Sequence, residues 1–446
     1  MRIDKTTLYD LSVFDKDEDF SLFHKIDFTK TIAGRLSLLN FFKQPFGSIE
    51  EILQVQDIIK IISNDIHSWP SNITNGTLLV IDKFLDDNPE TIPAEPNPIN
   101  TFIYKFIHPT GYSMILFSVK QLFELVKGYE LILRFFKGKE IPQKLSTVLS
   151  QAEKIISHKS LQSLKGKKYF SEMDRTDILN YGRFFHVDFA AELRALSVLY
   201  GSLDAWYSMA MATKELKLNF PTFIESSEPI FNAKGLHHPL LQNPVPYNLE
   251  LNDKKNFIFL TGANMAGKST LIKSVGIATY LAHLGMGVPA QSMSLTLFEG
   301  ILSNINVADN IVKGESYFFN EVKRIKETLA TIGDGKRWLV LIDELFKGTN
   351  IQDAMKCSLT VVGGLVKMKT GLFILSSHLY EIGDELKQYP AIGFKYFETN
   401  MENNELKFSY QLKEGISTDR IGYLILKKEG VVDMIEGIGK TTISND

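Results

Sequence analysis

The ten residues Thr261-Gly262-Ala263-Asn264-Met265-Ala266-Gly267-Lys268-Ser269-Thr270 constrain this chain more than any other stretch. Two glycines stand with four residues between them, followed by Lys and Ser, which is the phosphate-loop pattern. The apolar run Phe257-Ile258-Phe259-Leu260 precedes it and reads as a buried parallel strand. Leu271-Ile272-Lys273-Ser274-Val275-Gly276 follows it and reads as the start of a helix. Glycines at those positions let the backbone curl so that successive N–H groups face phosphate oxygens, and a helix N-terminus adds partial positive charge. The pattern therefore predicts that Gly262, Ala263, Asn264, Met265, Ala266, Gly267, Lys268, Ser269 and Thr270 surround a nucleotide such as ATP. Lys268 would reach the β/γ-phosphates, and the Ser269 hydroxyl would sit on Mg²⁺. The competing explanation is a glycine-rich turn that matches by chance.

Further along, Trp338-Leu339-Val340-Leu341-Ile342-Asp343-Glu344 is an apolar strand ending in two carboxylates. Asp343 at a strand end beside a phosphate loop can hold a Mg²⁺-bound water, and Glu344 can polarise an attacking water. An acidic strand end that merely caps the next turn is the simpler alternative. A third strand, Gly371-Leu372-Phe373-Ile374-Leu375-Ser376-Ser377, runs into His378, which could contact the γ-phosphate or the lytic water. Taken alone, His378 is equally an ordinary polar strand end. Loop, carboxylates and His occur in the order that a phosphate-loop ATPase requires. Between the first two motifs, Gly314 and Ser316 precede a helical pattern through Val322, Ile325 and Leu329. A hydroxyl residue there is a helix cap by default.

The 446 residues suffice for two or three domains. Apolar positions recur at three- and four-residue spacing up to about residue 225, which predicts helices. The segment 88–98 contains Pro89, Pro93, Pro96 and Pro98 and reads as a loop inside that half. From about Glu228 onward, short apolar runs bounded by Gly, Asn and Asp alternate with helical patterns. The expected fold class is α + α/β: an N-terminal all-helical core or lever domain (1–225), then an ABC-like P-loop ATPase domain (226–446) with a mainly parallel sheet. A formal net charge of −3 argues against a basic footprint over the whole molecule but leaves room for local patches such as Lys137-Gly138-Lys139 and Lys165-Gly166-Lys167-Lys168. Those runs read as DNA contacts or as plain solvated loops. The single cysteine, Cys357, gives no internal disulfide and suits a reducing, cytoplasmic setting. Residues 1–5 show no signal-peptide core. Lys120, Glu124, Lys127, Glu130 and Arg134 break the apolar stretch 112–136, so no membrane span is expected.

The motif set resembles the MutS family of DNA mismatch-repair ATPases. The family's TGPNMGGKST corresponds to TGANMAGKST here, with Ala263 and Ala266 as departures; its LLDELGRGT resembles LIDELFKGT at 341–349, with Lys347 where Arg is common. Its FATHY strand resembles LSSHLY at 375–380, and its G-x-S-T-F-x-x-E signature is loosely followed by Gly314, Ser316, Phe318 and Glu321. Leu236-His237-His238-Pro239-Leu240 resembles the family's R-H-P-x-L entry, and Gly415 to Tyr423 stands where the family has G-x-A-x-x-S-Y-G. Upstream, Asp27-Phe28-Thr29-Lys30-Thr31-Ile32-Ala33-Gly34-Arg35-Leu36 resembles the opening of the family's helical core, and Leu203-Asp204-Ala205 its L-D-x-L helix.

The resemblance implies a short form that begins near the helical core, without the mismatch-reading and connector domains. It implies ATPase domains paired head to tail, with Ser316 reaching in trans the nucleotide held by Lys268. It implies DNA as partner, with a homodimer through the ATPase domains or another repair protein. An ATP-driven protein-interaction switch without mismatch recognition is the alternative. A transporter-coupled ATP-binding cassette is disfavoured by the absence of an LSGGQ-type signature. Val245, Pro246 and Tyr247 fall where the family stacks apolar side chains on the base, with a poor local match.

Overall fold

Arg2 and Ile3 form β1 (Arg2–Ile3), which pairs in parallel with a strand some 300 residues away, with Arg2 opposite Gly300. α1 (Lys5–Asp10) and α2 (Leu22–Ile26) follow. The structure, a computed structural model, describes residues 1–87, 92–306, 317–402, 405–417, 430, 431 and 434. The chain divides into two units. One comprises Ile26–Gln44 and Glu50–Glu215; the other comprises Met1–Lys25, Pro45–Ile49 and Leu216–Asp446.

The first unit is helical: α3 (Ile32–Lys43), α4 (Ile49–Asn64), α5 (Asn75–Asp86), α6 (Pro98–Ile107), α7 (Pro109–Phe136), α8 (Gln143–Ile156), α9 (Gln162–Gly166), α10 (Arg175–Arg183) and α11 (Ala190–Glu215). Several helices start where side chains satisfy their free amides. Thr31 accepts from Gly34 N, Thr74 and Thr77 form a capping box, and Asn97 caps α6 with Pro98 in its first turn. α3 and α11 approach closely because glycines face the contact. A Cβ at Gly201 would stand 2.7 Å from the Ala33 carbonyl oxygen. Asp204, fully buried on α11, accepts from Lys30 N at 3.0 Å, Thr31 N at 2.8 Å and Thr31 Oγ1 at 2.7 Å. Burial raises its pKa, and the Lys30 and Thr31 donors oppose that. The two upstream motifs thus meet in one buried carboxylate cap.

The second unit contains β2 (Thr222–Phe223), β3 (Phe231–Leu236), β4 (Tyr247–Leu251), β5 (Phe257–Thr261), β6 (Ser292–Leu295), β7 (Gly300–Asn304), β8 (Trp338–Asp343), β9 (Gly371–Ser376), β10 (Ile392–Glu402) and β11 (Glu405–Glu414). Its later helices are α12 (Lys268–His283), α13 (Tyr317–Ile332), α14 (Ile351–Leu365) and α15 (Ile382–Leu386). Seven strands form one sheet in the order β1-β7-β8-β9-β5-β10-β11. Four form another, β2-β6-β3-β4. β5, β7, β8 and β9 are buried along their whole length, as continuous apolar strands covered on both faces must be. Leu260, Ser376 and Asp343 lie side by side, so β5, β9 and β8 end at one level. Phe257, Phe259, Val340, Ile342, Phe373 and Leu375 pack on one face of the sheet with α14 residues such as Val362 and Leu365.

The expected ABC-like P-loop ATPase domain with a mainly parallel sheet is corrected by this topology. The region after the helices is a mixed-sheet one. The smaller sheet is mostly antiparallel, and the larger sheet closes with the antiparallel pair β10–β11. β3 and β4 alternate between buried and exposed positions, the pattern of strands covered on one face only. An all-helical N-terminus is corrected too, because β1 and α1 belong to the sheet unit. A two-residue strand has no hydrophobic period to read.

His283, fully buried at the end of α12, sits between the Thr279 carbonyl at 2.8 Å from Nδ1 and the Phe298 amide, which donates to Nε2 at 3.1 Å. That arrangement suits the neutral ring. Burial pushes its pKa down to about 4, the Thr279 and Phe298 contacts opposing. Burial, Lys273 and His237 likewise lower His238 to about 4. A depressed histidine refuses a proton that the unfolded chain accepts. Stability is therefore full above about pH 6.5 and falls as the pH drops towards 4, by on the order of 3 kcal/mol for His283. Denaturant unfolding at pH 7 and pH 5 is expected to show about 2 kcal/mol of the His283 share. His283→Gln should flatten the His283 share of the slope; an unchanged slope would contradict the assignment.

Candidate active site

The loop between β5 and α12 has the backbone that its glycines predict. Gly262 has φ +135° and Gly267 has φ +111°, both in the region that side chains disfavour. A Cβ at Gly262 would also stand 3.2 Å from Phe397. Ala263 and Ala266 have no positive φ, so their methyl groups are tolerated where the family places other residues. Both are buried. Met265, exposed at the tip, is itself left-handed at φ +68°.

Lys268 is buried, and its Nζ donates to the carbonyls of Gly262 at 2.8 Å and Ala263 at 2.9 Å. Burial lowers its pKa, while Glu344 and Asp343 pull it back up. The next residue, Ser269, donates its hydroxyl to Asp343 at the end of β8. Ser376, at the end of β9, donates to the other oxygen of the same carboxylate. Asp343 thus joins the loop to the two neighbouring strands.

Glu344 follows at φ +65°, with its amide bonded to Ser376 O at 3.0 Å. Its Oε1 meets His378 Nε2 at 2.5 Å, and its Oε2 meets Lys347 Nζ at 2.8 Å. Burial would raise the carboxyl, but His378 and Lys347 outweigh it and hold the pKa at about 2. Phe346 is left-handed as well, at φ +61°. Such backbone is disfavoured by roughly 1–2 kcal/mol per residue. The buried Glu321 of α13 compensates, its Oε1 accepting from Phe346 N at 2.9 Å and Lys347 N at 3.4 Å.

Lys268, Ser269 and Glu344 border a cavity of about 480 Å³, together with Asn264, Met265, Gly267 and Thr270. Leu241, Gln242, Asn243, Val245, Tyr247 and Tyr410 complete it. Lys268, Ser269, Asp343, Glu344 and His378 are therefore brought together. Val245 and Tyr247 line the cavity, whereas Pro246 is not among its lining residues. Ser316 and Gly314 lie outside the described residues, as does the 418–423 part of the C-terminal motif. Ser417 N donates to Thr261 Oγ1 at 2.8 Å, which brings the described part of that motif to the foot of the loop. Sequence reading missed Tyr410, which a strand pattern cannot distinguish from a surface ring, and the function of Glu321 in the turn. Glu321 was visible only as the last residue of the loosely matched signature.

A triphosphate with a divalent ion fits these residues. The cavity falls in the ordinary size range for small-molecule sites. No cluster of three or more His, Cys, Asp or Glu occurs among the described residues. Mg²⁺ needs none, since one or two protein oxygens together with phosphates and waters complete its shell.

The candidate basic runs are largely matched by acids. Lys139 pairs with Asp65 at 2.6 Å, Lys165 with Glu130 at 3.8 Å and Lys167 with Asp177 at 3.2 Å. Among the described residues, no helix is long and apolar enough to cross a membrane.

A loop of this kind at the mouth of parallel strands, beside a carboxylate-tipped strand, defines a protein with a strand-end ligand site. Residues 258–438 match the family model for MutS domain V. The DNA mismatch repair protein MutS of Petrotoga mobilis is 28% identical over 250 residues, covering 55% of this chain and 30% of that protein. The proteins of the same name from Aquifex pyrophilus (26% over 416 residues, 90% of this chain and 47% of that protein) and Staphylococcus haemolyticus (23% over 430 residues, 92% and 48%) match along most of the chain. The family model and these relatives support a MutS-family protein, at modest identity. It spans about half or less of the length of these relatives.

Proposed function

We propose that this chain binds and hydrolyses ATP at the β5–α12 loop, and that its nucleotide state governs pairing of two copies and DNA binding in mismatch repair or a related repair process. The observation that carries this is the convergence of Lys268, Ser269, Asp343, Glu344 and His378 at the level ends of three adjacent strands. Mg²⁺, held from Ser269 and Asp343, would supply positive charge against the phosphates. Lys268 would exchange its loop carbonyls for phosphate oxygens, a stronger charge-assisted pairing. Glu344, with a pKa of about 2, is ionised at neutral pH. Each of its oxygens keeps a second lone pair to accept from water after His378 and Lys347 are served. It would thus orient the attacking water rather than store its proton, which suits a loose phosphoryl-transfer transition state. Tyr247, Val245 and Tyr410 would flank the base. Ser316 of a second copy would approach the γ-phosphate in trans.

A second reading keeps the ATPase but makes the helical unit a protein-binding element. The matched charges of Lys139, Lys165 and Lys167 favour it. Retention on duplex DNA with and without ATP separates the two. DNA binding predicts ATP-dependent retention that falls steeply between about 50 and 200 mM salt as counterions are retained by the DNA instead of the protein's cations. Absence of retention at the lower salt would favour the protein switch.

A further inference from the structure

We infer that Glu321 of α13 is a positioning residue for hydrolysis, acting on Glu344 through the turn that carries Lys347. The inference rests on the role of Glu344 proposed above. Glu321 is fully buried, and its Oε1 accepts from the amides of Phe346 at 2.9 Å and Lys347 at 3.4 Å. The Gly348 amide faces the same carboxylate, so three successive amides of the turn converge on it. Glu344 and Phe346 are both left-handed without being glycine, and such backbone persists only where surroundings over-determine it. Glu321 supplies that constraint from outside the turn, across 25 residues of sequence.

What the turn presents is Lys347 Nζ, 2.8 Å from Glu344 Oε2. His378 holds the other oxygen, and the Lys268 ammonium is a further charge that this carboxylate acts on. If residues 345–347 relax to ordinary backbone, Lys347 leaves Glu344 and the carboxylate is fixed from one side only. Residues 345–347 are not among those lining the cavity beside the β5–α12 loop. The chain of contact is therefore α13, Glu321, turn amides, Lys347, Glu344. It makes the placement of α13 a control on the rate of hydrolysis rather than on affinity.

The test is steady-state MgATP turnover and equilibrium nucleotide binding by the full chain carrying Glu321→Ala, Glu321→Gln, Glu321→Asp, Lys347→Ala, or Glu321→Ala with Lys347→Ala. Glu321→Ala is expected to lower kcat about 10–100-fold with KM and nucleotide affinity nearly unchanged, the signature of a misplaced reacting group. Glu321→Gln keeps a carbonyl acceptor for the amides and should recover most of the rate. Glu321→Asp keeps the charge but withdraws the acceptor by one methylene, and should not. In the Lys347→Ala background, Glu321→Ala should cost little further, because both act through one contact. Unchanged kcat in folded Glu321→Ala and Glu321→Asp would overturn the inference, as would a loss in KM alone or a fully multiplicative loss in the double variant. Should Glu321→Ala not fold, the contrast between Gln and Asp decides. Normal turnover by Glu344→Gln would instead sink the underlying assignment, and is read separately.

Discussion

Glu344→Gln is expected to bind MgATP about as well as the parent chain and to turn it over about 10²–10⁴-fold more slowly. Glutamine preserves the shape and one carbonyl oxygen, so the strained turn and the Ser376 contact to the residue-344 amide can persist. The substitution removes the negative charge that His378 and Lys347 both address at 2.5 Å and 2.8 Å. It also replaces one water-accepting oxygen by an amide group that donates. Loss confined to kcat follows, since nothing that the β5–α12 loop offers to phosphates is altered. Turnover under single-turnover conditions, with binding measured in parallel, checks this. A parent-like rate would remove Glu344 from the chemistry, and a matching loss of affinity would make its effect structural.

Lys268→Ala should act on the opposite quantity. The ammonium is buried and engaged by two carbonyls of its own loop, and Lys268 itself lines the cavity. A hydrogen bond to a charged group contributes about 1.5–3 kcal/mol, which corresponds to roughly 10–200-fold in the dissociation constant for ATP. Turnover would fall with it, because the same charge opposes the charge developing on the transferred phosphoryl. Nucleotide titration of the variant measures the effect. Affinity within about threefold of the parent would mean that Lys268 is a loop staple alone, closing on Gly262 and Ala263.

The elements that could be read from the chain were those whose information is local. Gly262 and Gly267 stand at positive φ because a strand must turn into a helix within six residues. The apolar runs ending at Thr261, Asp343 and Ser376 are strands buried on both faces, and their polar terminal residues share one edge for that reason. Partners far apart in the chain carried no such signal. Asp204 capping Thr31, Asp10 accepting from Ser303 Oγ and Ile305 N, and β1 pairing with β7 each depend on tertiary placement. The smaller sheet was missed because β3 and β4 match the buried strands in length, and their antiparallel pairing is set by tertiary placement. Tyr410 reaches the cavity through the β10–β11 pairing, with its own backbone at φ +54°. A period-two pattern gives no hint of that departure. Glu321 was visible as a motif residue, but its function depends on a turn whose left-handed residues, Glu344 and Phe346, are not of the types that advertise such backbone.

Diffraction from crystals of the full chain grown with Mg²⁺ and a non-hydrolysable ATP analogue is the most direct measurement. The account predicts triphosphate density against the amides of residues 262–270, with Lys268 turned from its carbonyls to the phosphates and the metal between Ser269 and Asp343. Density for the analogue anywhere else, with Lys268 still bonded to Gly262 and Ala263, would contradict it.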